Sequence, residues 1–269
     1  MTPIKLIAID LDGTLLADDG RVPPQNIQAI RQAMAAGVLV VLATGKTRAA
    51  ATAIIEQLDL RTPGVYCQGL TLHRGDGSVW HEEALDRETA VAAITFADQH
   101  HLPQHAYCGI RICTPADTPY RHLLRDKYHE PLPELVASLL PLADELRINK
   151  FLISDESDNA HTRARLEMVV NGRATVTQAV PEYIELLPRG ASKGKGLARL
   201  LAQLAIPWEA VLALGDGEND LEMLQRAGVG VAMGNAAAAV QTAADYVVAT
   251  NNEAGVAAAI ERFALTAVR

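Results

Sequence analysis

The sequence predicts an open α/β fold with a parallel sheet, interrupted by an inserted α+β segment. Two observations predict it. Three short apolar runs, at residues 4–9, 38–43 and 210–214, are each followed by a polar cluster and then a helical pattern. Between roughly Glu82 and Pro188 that alternation gives way to shorter strand signals, several prolines and most of the histidines. Apolar runs without polar alternation suit strands covered on both faces. Strands alternating with helices in this way build an open sheet.

Taken in order, residues 4–10 read as a buried strand. Pro23 and Pro24 open a helix that runs through Ala36, with Gly37 as its stop. Residues 38–43, rich in β-branched side chains, read as the second strand, and an alanine-rich helix follows Thr44-Gly45-Lys46 to about Leu58. In the insertion, helices are expected over 86–100 and 162–170, with strands at 105–108, 110–114, 149–154, 174–177 and 183–187. His100 and His101 end the first of these helices, where positive charge is favourable. Beyond the insertion, residues 210–214 form a strand, followed by a helical pattern. Strand–helix units then continue at 229–233, 246–248 and 254–263. The core is therefore expected to be discontinuous, residues 1–82 and 189–269, with 83–188 inserted as a domain of ordinary size.

With 269 residues and 49% hydrophobic side chains, the chain can fill a real core. The formal net charge of -8 argues against nucleic acid or an anionic membrane as partner, since both reward a basic face. A small phosphorylated ligand needs only a local positive spot. Cys67, Cys108 and Cys113 show no Cys-x-x-Cys spacing and read as reduced, buried thiols. The opening Met1-Thr2-Pro3-Ile4-Lys5 has no signal-peptide pattern. No apolar run approaches the ~18 residues of a membrane span. A soluble, cytoplasmic protein is expected.

The first strand ends in Asp10-Leu11-Asp12-Gly13-Thr14. Two carboxylates two residues apart share one face if the chain stays extended. At about 4 Å and an effective dielectric of about 20 they repel by roughly 4 kcal/mol, so a divalent cation or a shared proton is expected. One carboxylate can attack a phosphoryl centre. The other can protonate the leaving oxygen and then take a proton from water. The plain alternative is a loop with helix-capping aspartates. A calcium loop is excluded, because it needs a closing Glu where Arg21 stands.

Thr44-Gly45-Lys46 offers a hydroxyl and a permissive glycine at an expected helix start, which favours an anion; taken alone it reads first as an N-cap. Ser192-Lys193-Gly194-Lys195-Gly196 resembles a phosphate loop without Walker spacing. A lysine at a helix start sits against the macrodipole, which an anion between them would relieve; a solvated lysine is the equal alternative, and Lys195 reads as surface. Gly215-Asp216-Gly217-Glu218-Asn219-Asp220 gathers three acids and an amide and reads as a metal site or, more plainly, a capping loop. The clusters at Asp10, Thr44 and Asp216 all follow strand ends, where open α/β sheets place ligands. The glycines at 228, 230 and 234 lack dinucleotide-fingerprint spacing and read as close packing.

With these clusters in this order, the chain resembles the haloacid dehalogenase superfamily, and within it the Cof-type phosphatases with a large α/β cap of type IIB. The resemblance runs nearly end to end. It rests on the five residues from Asp10, Thr44-Gly45-Lys46, Lys193, the six residues from Gly215, and Ala232-Met233-Gly234-Asn235-Ala236. It implies a Rossmann-like core and a Mg²⁺-dependent phosphomonoesterase working through an aspartyl-phosphate. Asp10 would be nucleophile and metal ligand. Asp12 would be general acid, then base, and lend its backbone carbonyl to the metal; Asp216 would be the third protein ligand. Thr44 and Lys193 would hold the transferring oxygens. Asn219 would position phosphate and Asp220 would support the metal's waters, with Gly13 and Gly45 in the same supporting shell. Mg²⁺ suits such a set, because it keeps several waters and takes few carboxylates.

The chain departs from the family pattern at three places. Lys46 replaces an arginine that often faces away from phosphate. Gln68-Gly69 replaces Asn-Gly, and the segment from Asn251 to Gly255 lacks an aspartate before its glycine; these two bear on substrate or loop order. The cap, hinged near Glu82 and Pro188, would close over the site and choose the leaving group. Tyr107, Arg111, His122 and Tyr183 are its polar-ligand candidates, each reading first as structural. The expected substrate is a small phosphorylated metabolite, a sugar phosphate foremost, with no oligomeric state implied. The alternatives are a phosphomutase-like phosphotransferase, which typically carries a small helical cap elsewhere, and a non-catalytic phospho-ligand binder, whose expected mark is loss of Asp10 or Asp12. Ion-pumping relatives carry Thr where Asp12 stands and need membrane spans.

Overall fold

A computed structural model describes residues 2–265. The chain forms two compact units: the residues up to Lys46, Ala51–His81 and those from Ser192 on, and separately Thr47–Ala50 with Glu82–Ala191.

The first unit is built on a five-stranded sheet in the order Tyr246–Val247, Val229–Ala232, Val211–Gly215, Leu6–Ile9, Leu39–Leu42. Every pairing is parallel; Leu6 stands opposite both Val211 and Leu39. Because side chains alternate along a strand, both faces are apolar. Ile7, Ile9, Val40, Leu42, Leu212, Leu214 and Val231 pack on one side with Ile30 and Ala33 of helix Pro24–Ala35 and Val256 and Ile260 of helix Gly255–Ile260. Leu6, Ala8, Val41, Val211 and Ala213 pack on the other side with Leu197, Leu200 and Leu201 of helix Lys193–Leu204 and Met223 and Leu224 of helix Leu221–Arg226. Each fully buried Val, Leu, Ile or Met among them contributes about 1.5–3 kcal/mol, which explains why runs this apolar form central strands. Leu6–Ile9 is flanked by a strand on each side, so its carboxyl end lies at the crevice where the strand order reverses. A small sheet of Gly64–Tyr66, Thr71–His73 and Val79–Glu82 lies beside it, joined by one parallel bridge from Val65 to Ala43.

The helix expected directly after Thr44-Gly45-Lys46 does not start there. It is confined to Thr52–Gln57. The backbone N–H and hydroxyl of Thr47 are taken by the buried Glu130 carboxylate, at 3.1 and 2.6 Å. A partner so distant in sequence overrides the alanine-rich local preference. The late glycines do pack tightly: a Cβ on Gly228 would fall 2.2 Å from the Glu209 carbonyl oxygen, and one on Gly230 would fall 2.1 Å from that of Leu224.

The second unit has a six-stranded sheet in the order Ala174–Val180, Tyr183–Pro188, Lys150–Ile153, Gln104–Cys108, Arg111–Thr114, Glu134–Leu135. Its pairings are antiparallel except the last. Helices Arg87–Gln99 and Asn159–Val170 pack on one face through Ile94, Ala97, Leu166 and Val170 against Ala106, Phe151, Ile153, Ile184 and Leu186. Asp86 and Asp158 cap them, accepting from the Thr89 and His161 backbone N–H groups at 2.9 Å each. The four polar candidates of this unit have protein partners. Lys150 Nζ lies 4.4 Å from the Tyr107 ring centre, Arg111 pairs with Glu134 at 2.6 Å and His122 with Asp117 at 3.0 Å, and the Tyr183 hydroxyl donates to the Tyr120 carbonyl at 2.8 Å. Among the described residues no helix is long and apolar enough to cross a membrane.

Candidate active site

Asp10 follows the last residue of the central strand, and its N–H donates to the Leu214 carbonyl at 3.1 Å. The strand stops at Ile9. The chain then turns so that Leu11, Leu15 and Leu16 enter the core, closed by N–H donation from Leu15 to the Asp10 carbonyl at 3.2 Å and from Leu16 to that of Leu11 at 2.9 Å. The extended geometry that would have set Asp10 and Asp12 on one face is therefore absent, and their environments separate. The Asp10 carboxylate is buried. That of Asp12 is 61% exposed and pairs with Lys46 Nζ at 3.1 Å.

Lys193 is the first residue of its helix. Ser192 caps that helix, its Oγ accepting from the Lys195 N–H at 3.1 Å while donating to Glu222. The Lys193 side chain runs inward, 2% exposed, and its ammonium donates to Asp10 Oδ1 at 2.6 Å and to Asp220 Oδ1 at 2.8 Å. Burial disfavours its charge, but the two carboxylates outweigh burial and hold it above the ordinary lysine range. Asp220 is fully buried; its Oδ2 accepts the N–H groups of Asp216 and Gly217 at 3.0 and 2.9 Å. The Asp216 carboxylate takes the Thr14 hydroxyl at 2.8 Å.

Asp10, Asp216 and Asp220 offer oxygens that all lie within 4.8 Å of one another, a group able to hold a metal ion. Burial pushes the Asp10 carboxyl up, Lys193 opposes, and the charges of Asp220 and Asp216 add to the rise. Burial likewise raises Asp216, against the Thr14 hydrogen bond. Three carboxylates face one ammonium, and one divalent cation would bring the cluster to neutrality. The donor set thus fits a hard cation with oxygen ligands. Asp12 stands outside this group by its side chain, and Asp220 stands inside it.

Gly13 shapes the same corner. Its φ is +75°, and a Cβ there would lie 2.3 Å from Asp216 Oδ2. Gly13→Ala is expected to cost about 1–2 kcal/mol from left-handed backbone strain, plus the displacement of Asp216. Gly37 also has a positive φ but open space around it, so Gly37→Ala carries the strain alone. Denaturant midpoints should fall further for Gly13→Ala; equal falls would remove the Asp216 contact from the account. Asn235, in the Ala232–Ala236 motif, braces the corner by donating to the Gly13 carbonyl at 2.8 Å.

Thr44 is buried, its N–H donating to the Val65 carbonyl at 2.9 Å and its Oγ1 accepting from the Lys46 N–H at 3.1 Å. It caps no helix, so the expected helix terminus for an anion is missing here. The exposed Asn219 donates through Nδ2 to Gln68 Oε1 at 3.1 Å. Gln68 also borders Gly45, whose added Cβ would come within 2.8 Å of Gln68 Nε2. Two side chains thus enter the site that the sequence did not put there, Lys46 on Asp12 and Gln68 on Asn219. Their only sequence signal was departure from the family pattern. Asn251 and Asn252, in the third departing segment, bind the two oxygens of Asp18 at 3.0 and 2.9 Å and so tie down the loop after the first motif.

Residues 7–260 match the family model of the haloacid dehalogenase-like hydrolases. Phosphatase YwpJ of Bacillus subtilis (strain 168) is 34% identical, the match covering 94% of this chain and 98% of that one. A second protein of that strain, 5-amino-6-(5-phospho-D-ribitylamino)uracil phosphatase YcsE, is 30% identical, covering 97% and 96%. The chloroplastic endoribonuclease YBEY of Arabidopsis thaliana is 35% identical over 96% of this chain. This chain spans 46% of that plant protein, which leaves more than half of it outside the match. A haloacid dehalogenase-like hydrolase from Bacteroides thetaiotaomicron superposes with a TM-score of 0.87 at 29% identity, covering 96% of this chain and 99% of that one. The chain belongs to the haloacid dehalogenase-like hydrolase family, among its phosphatases of the Cof type.

Proposed function

We propose that this phosphatase is a Mg²⁺-dependent phosphomonoester hydrolase that carries the phosphoryl group on Asp10. Its substrate is a small phosphorylated metabolite, a sugar phosphate foremost. The observation that carries the reading is the Lys193 ammonium buried between Asp10 and Asp220, with Asp216 beside them, at the carboxyl end of the central strand. An Asp10 oxygen attacks phosphorus as the bond to the leaving oxygen breaks, and Asp12 gives that oxygen a proton. Water then attacks the phosphorus of the aspartyl-phosphate, Asp12 takes the water's proton, and Asp10 departs with the bonding pair, leaving orthophosphate. The exposure of Asp12 suits a group that exchanges protons with leaving group and water. Lys193, the Thr44 hydroxyl and Asn219 stabilise the charge on the transferring oxygens. Asp10, the Asp12 backbone carbonyl and Asp216 would hold Mg²⁺, with Asp220 and Gly13 behind them, and the ion would neutralise developing charge and orient the phosphate.

Residues 1–82 and 189–269 would be the catalytic core, and 83–188 the cap that selects the leaving group. The relative named for a phospho-ribityl compound supports a polyol-bearing substrate. The three cysteines, all free and buried, suit a reducing cytoplasm. The test is phosphate release from a panel of phosphomonoesters with Mg²⁺ and with excess chelator. Release that requires Mg²⁺ is expected. Full turnover in chelator would contradict the metal assignment, and transfer only to an acceptor hydroxyl would replace hydrolase by phosphotransferase.

A further inference from the structure

We propose that Gln68 is a positioning residue for phosphate binding: it fixes the Asn219 amide and ties together the three groups that face the phosphoryl oxygens. The proposal rests on the phosphatase reading above. Cys67, Gln68 and Gly69 all have positive φ, at 49°, 60° and 89°. Left-handed backbone at two successive residues with side chains is unfavourable, and it persists only where the surroundings over-determine it.

Here they do so from three directions. The Cys67 N–H donates to the Lys46 carbonyl at 2.8 Å and the Gln68 N–H to the Thr44 carbonyl at 3.2 Å, which fixes the turn to the Thr44 loop. Gly69 lies against the helix that begins at Lys193: a Cβ on Gly69 would fall 2.1 Å from the Ser192 carbonyl oxygen, and one on Gly196 would fall 2.5 Å from the Gly69 Cα. The Gln68 side chain then reaches Asn219, its Oε1 accepting from Nδ2 at 3.1 Å. Residues 67–69 therefore touch the segments that carry Thr44, Lys193 and Asn219.

A glycine at 68 would satisfy the backbone without strain. A glutamine there is 8% exposed and strained, which makes sense if its amide has work at the site. Its Oε1 is committed to Asn219, so its Nε2 is turned toward Gly45, and that donor has no hydrogen-bond partner among the described residues. An Asn219 amide held by its own donor group keeps one orientation instead of several, which lowers the entropy lost when phosphate binds.

The test compares the parent protein with Gln68→Gly, Asn219→Ala and the double variant in Mg²⁺. Orthophosphate affinity is read by calorimetry, kcat and KM on p-nitrophenyl phosphate, and folding by thermal melting. Gln68→Gly is expected to melt no lower than the parent, yet to weaken orthophosphate affinity and raise KM by about 3- to 10-fold, the size of one lost hydrogen bond. The double variant is expected to bind no worse than Asn219→Ala, because one residue acts through the other. Unchanged orthophosphate affinity in Gln68→Gly, with or without a lower melting point, overturns the proposal, as do losses that multiply in the double variant. A parent that binds orthophosphate but hydrolyses no ester overturns the phosphatase reading instead, and the affinity comparison still decides the role of Gln68.

Discussion

Asp10→Asn is expected to abolish turnover, by about 10⁴-fold or more as for loss of a covalent nucleophile, while the protein stays folded. The amide is nearly isosteric and still fits behind Lys193, but it is a poor nucleophile toward phosphorus. The substitution also removes one charge from a buried cluster that carries an excess of negative charge, and Lys193 keeps Asp220 at 2.8 Å. Stability should therefore change little. A folded Asp10→Asn protein with parental phosphate release would remove Asp10 from the mechanism.

Lys193→Met should damage both activity and fold. It removes the ammonium between Asp10 and Asp220, at 2.6 and 2.8 Å, and leaves buried carboxylates facing one another with Asp216 alongside. Breaking a buried ion pair from one side costs about 3–5 kcal/mol, a large part of the usual stability of a domain. Asp10 and Asp216, already pushed up by burial, would rise further without Lys193. A carboxyl whose folded pKa lies above its unfolded value holds more protons in the native state, so stability falls as pH rises between the two values. The deficit of Lys193→Met should thus be largest at neutral pH and shrink in acid. Mg²⁺ should raise its melting point more than that of the parent, by ordinary linkage. A variant as stable as the parent at neutral pH without Mg²⁺ would contradict this electrostatic account.

The parts of the fold that were legible are those decided locally. Strands Leu6–Ile9, Leu39–Leu42 and Val211–Gly215 announce themselves because burial on both faces demands unbroken apolar runs. Helix Pro24–Ala35 is marked by proline at its start and, beyond its end, by Gly37 with φ +83°. The Asp10, Thr44 and Asp216 clusters were visible because strand ends on a parallel sheet share an edge. What stayed hidden depends on distant partners. Thr47 gives up its helix for Glu130, 83 residues away. Asp12 leaves the Asp10 face because Leu11, Leu15 and Leu16 turn the chain into the core. Asp220 is legible as part of the acidic cluster, but its bond from the Lys193 ammonium, 27 residues back, is not. Gln68 adopts a backbone no propensity favours, held by residues 44, 46, 192, 196 and 219. Helix Pro119–Asp126 is only eight residues long and buries only Leu124, too short a stretch for its apolar face to be read.

The mechanism requires that Asp10 carry the phosphoryl group. Trapping that group shows it: Asp12→Ala, which lacks the base for the second step, is mixed with Mg²⁺ and p-nitrophenyl phosphate, whose leaving group departs without a general acid, then quenched in acid, digested, and analysed by mass spectrometry. A substrate-dependent, hydroxylamine-labile addition of one HPO₃ is expected on the peptide containing Asp10, localised to that residue and absent from Asp10→Asn. An addition at another residue, or none at any quench time from a variant whose parent hydrolyses the same ester, would contradict it.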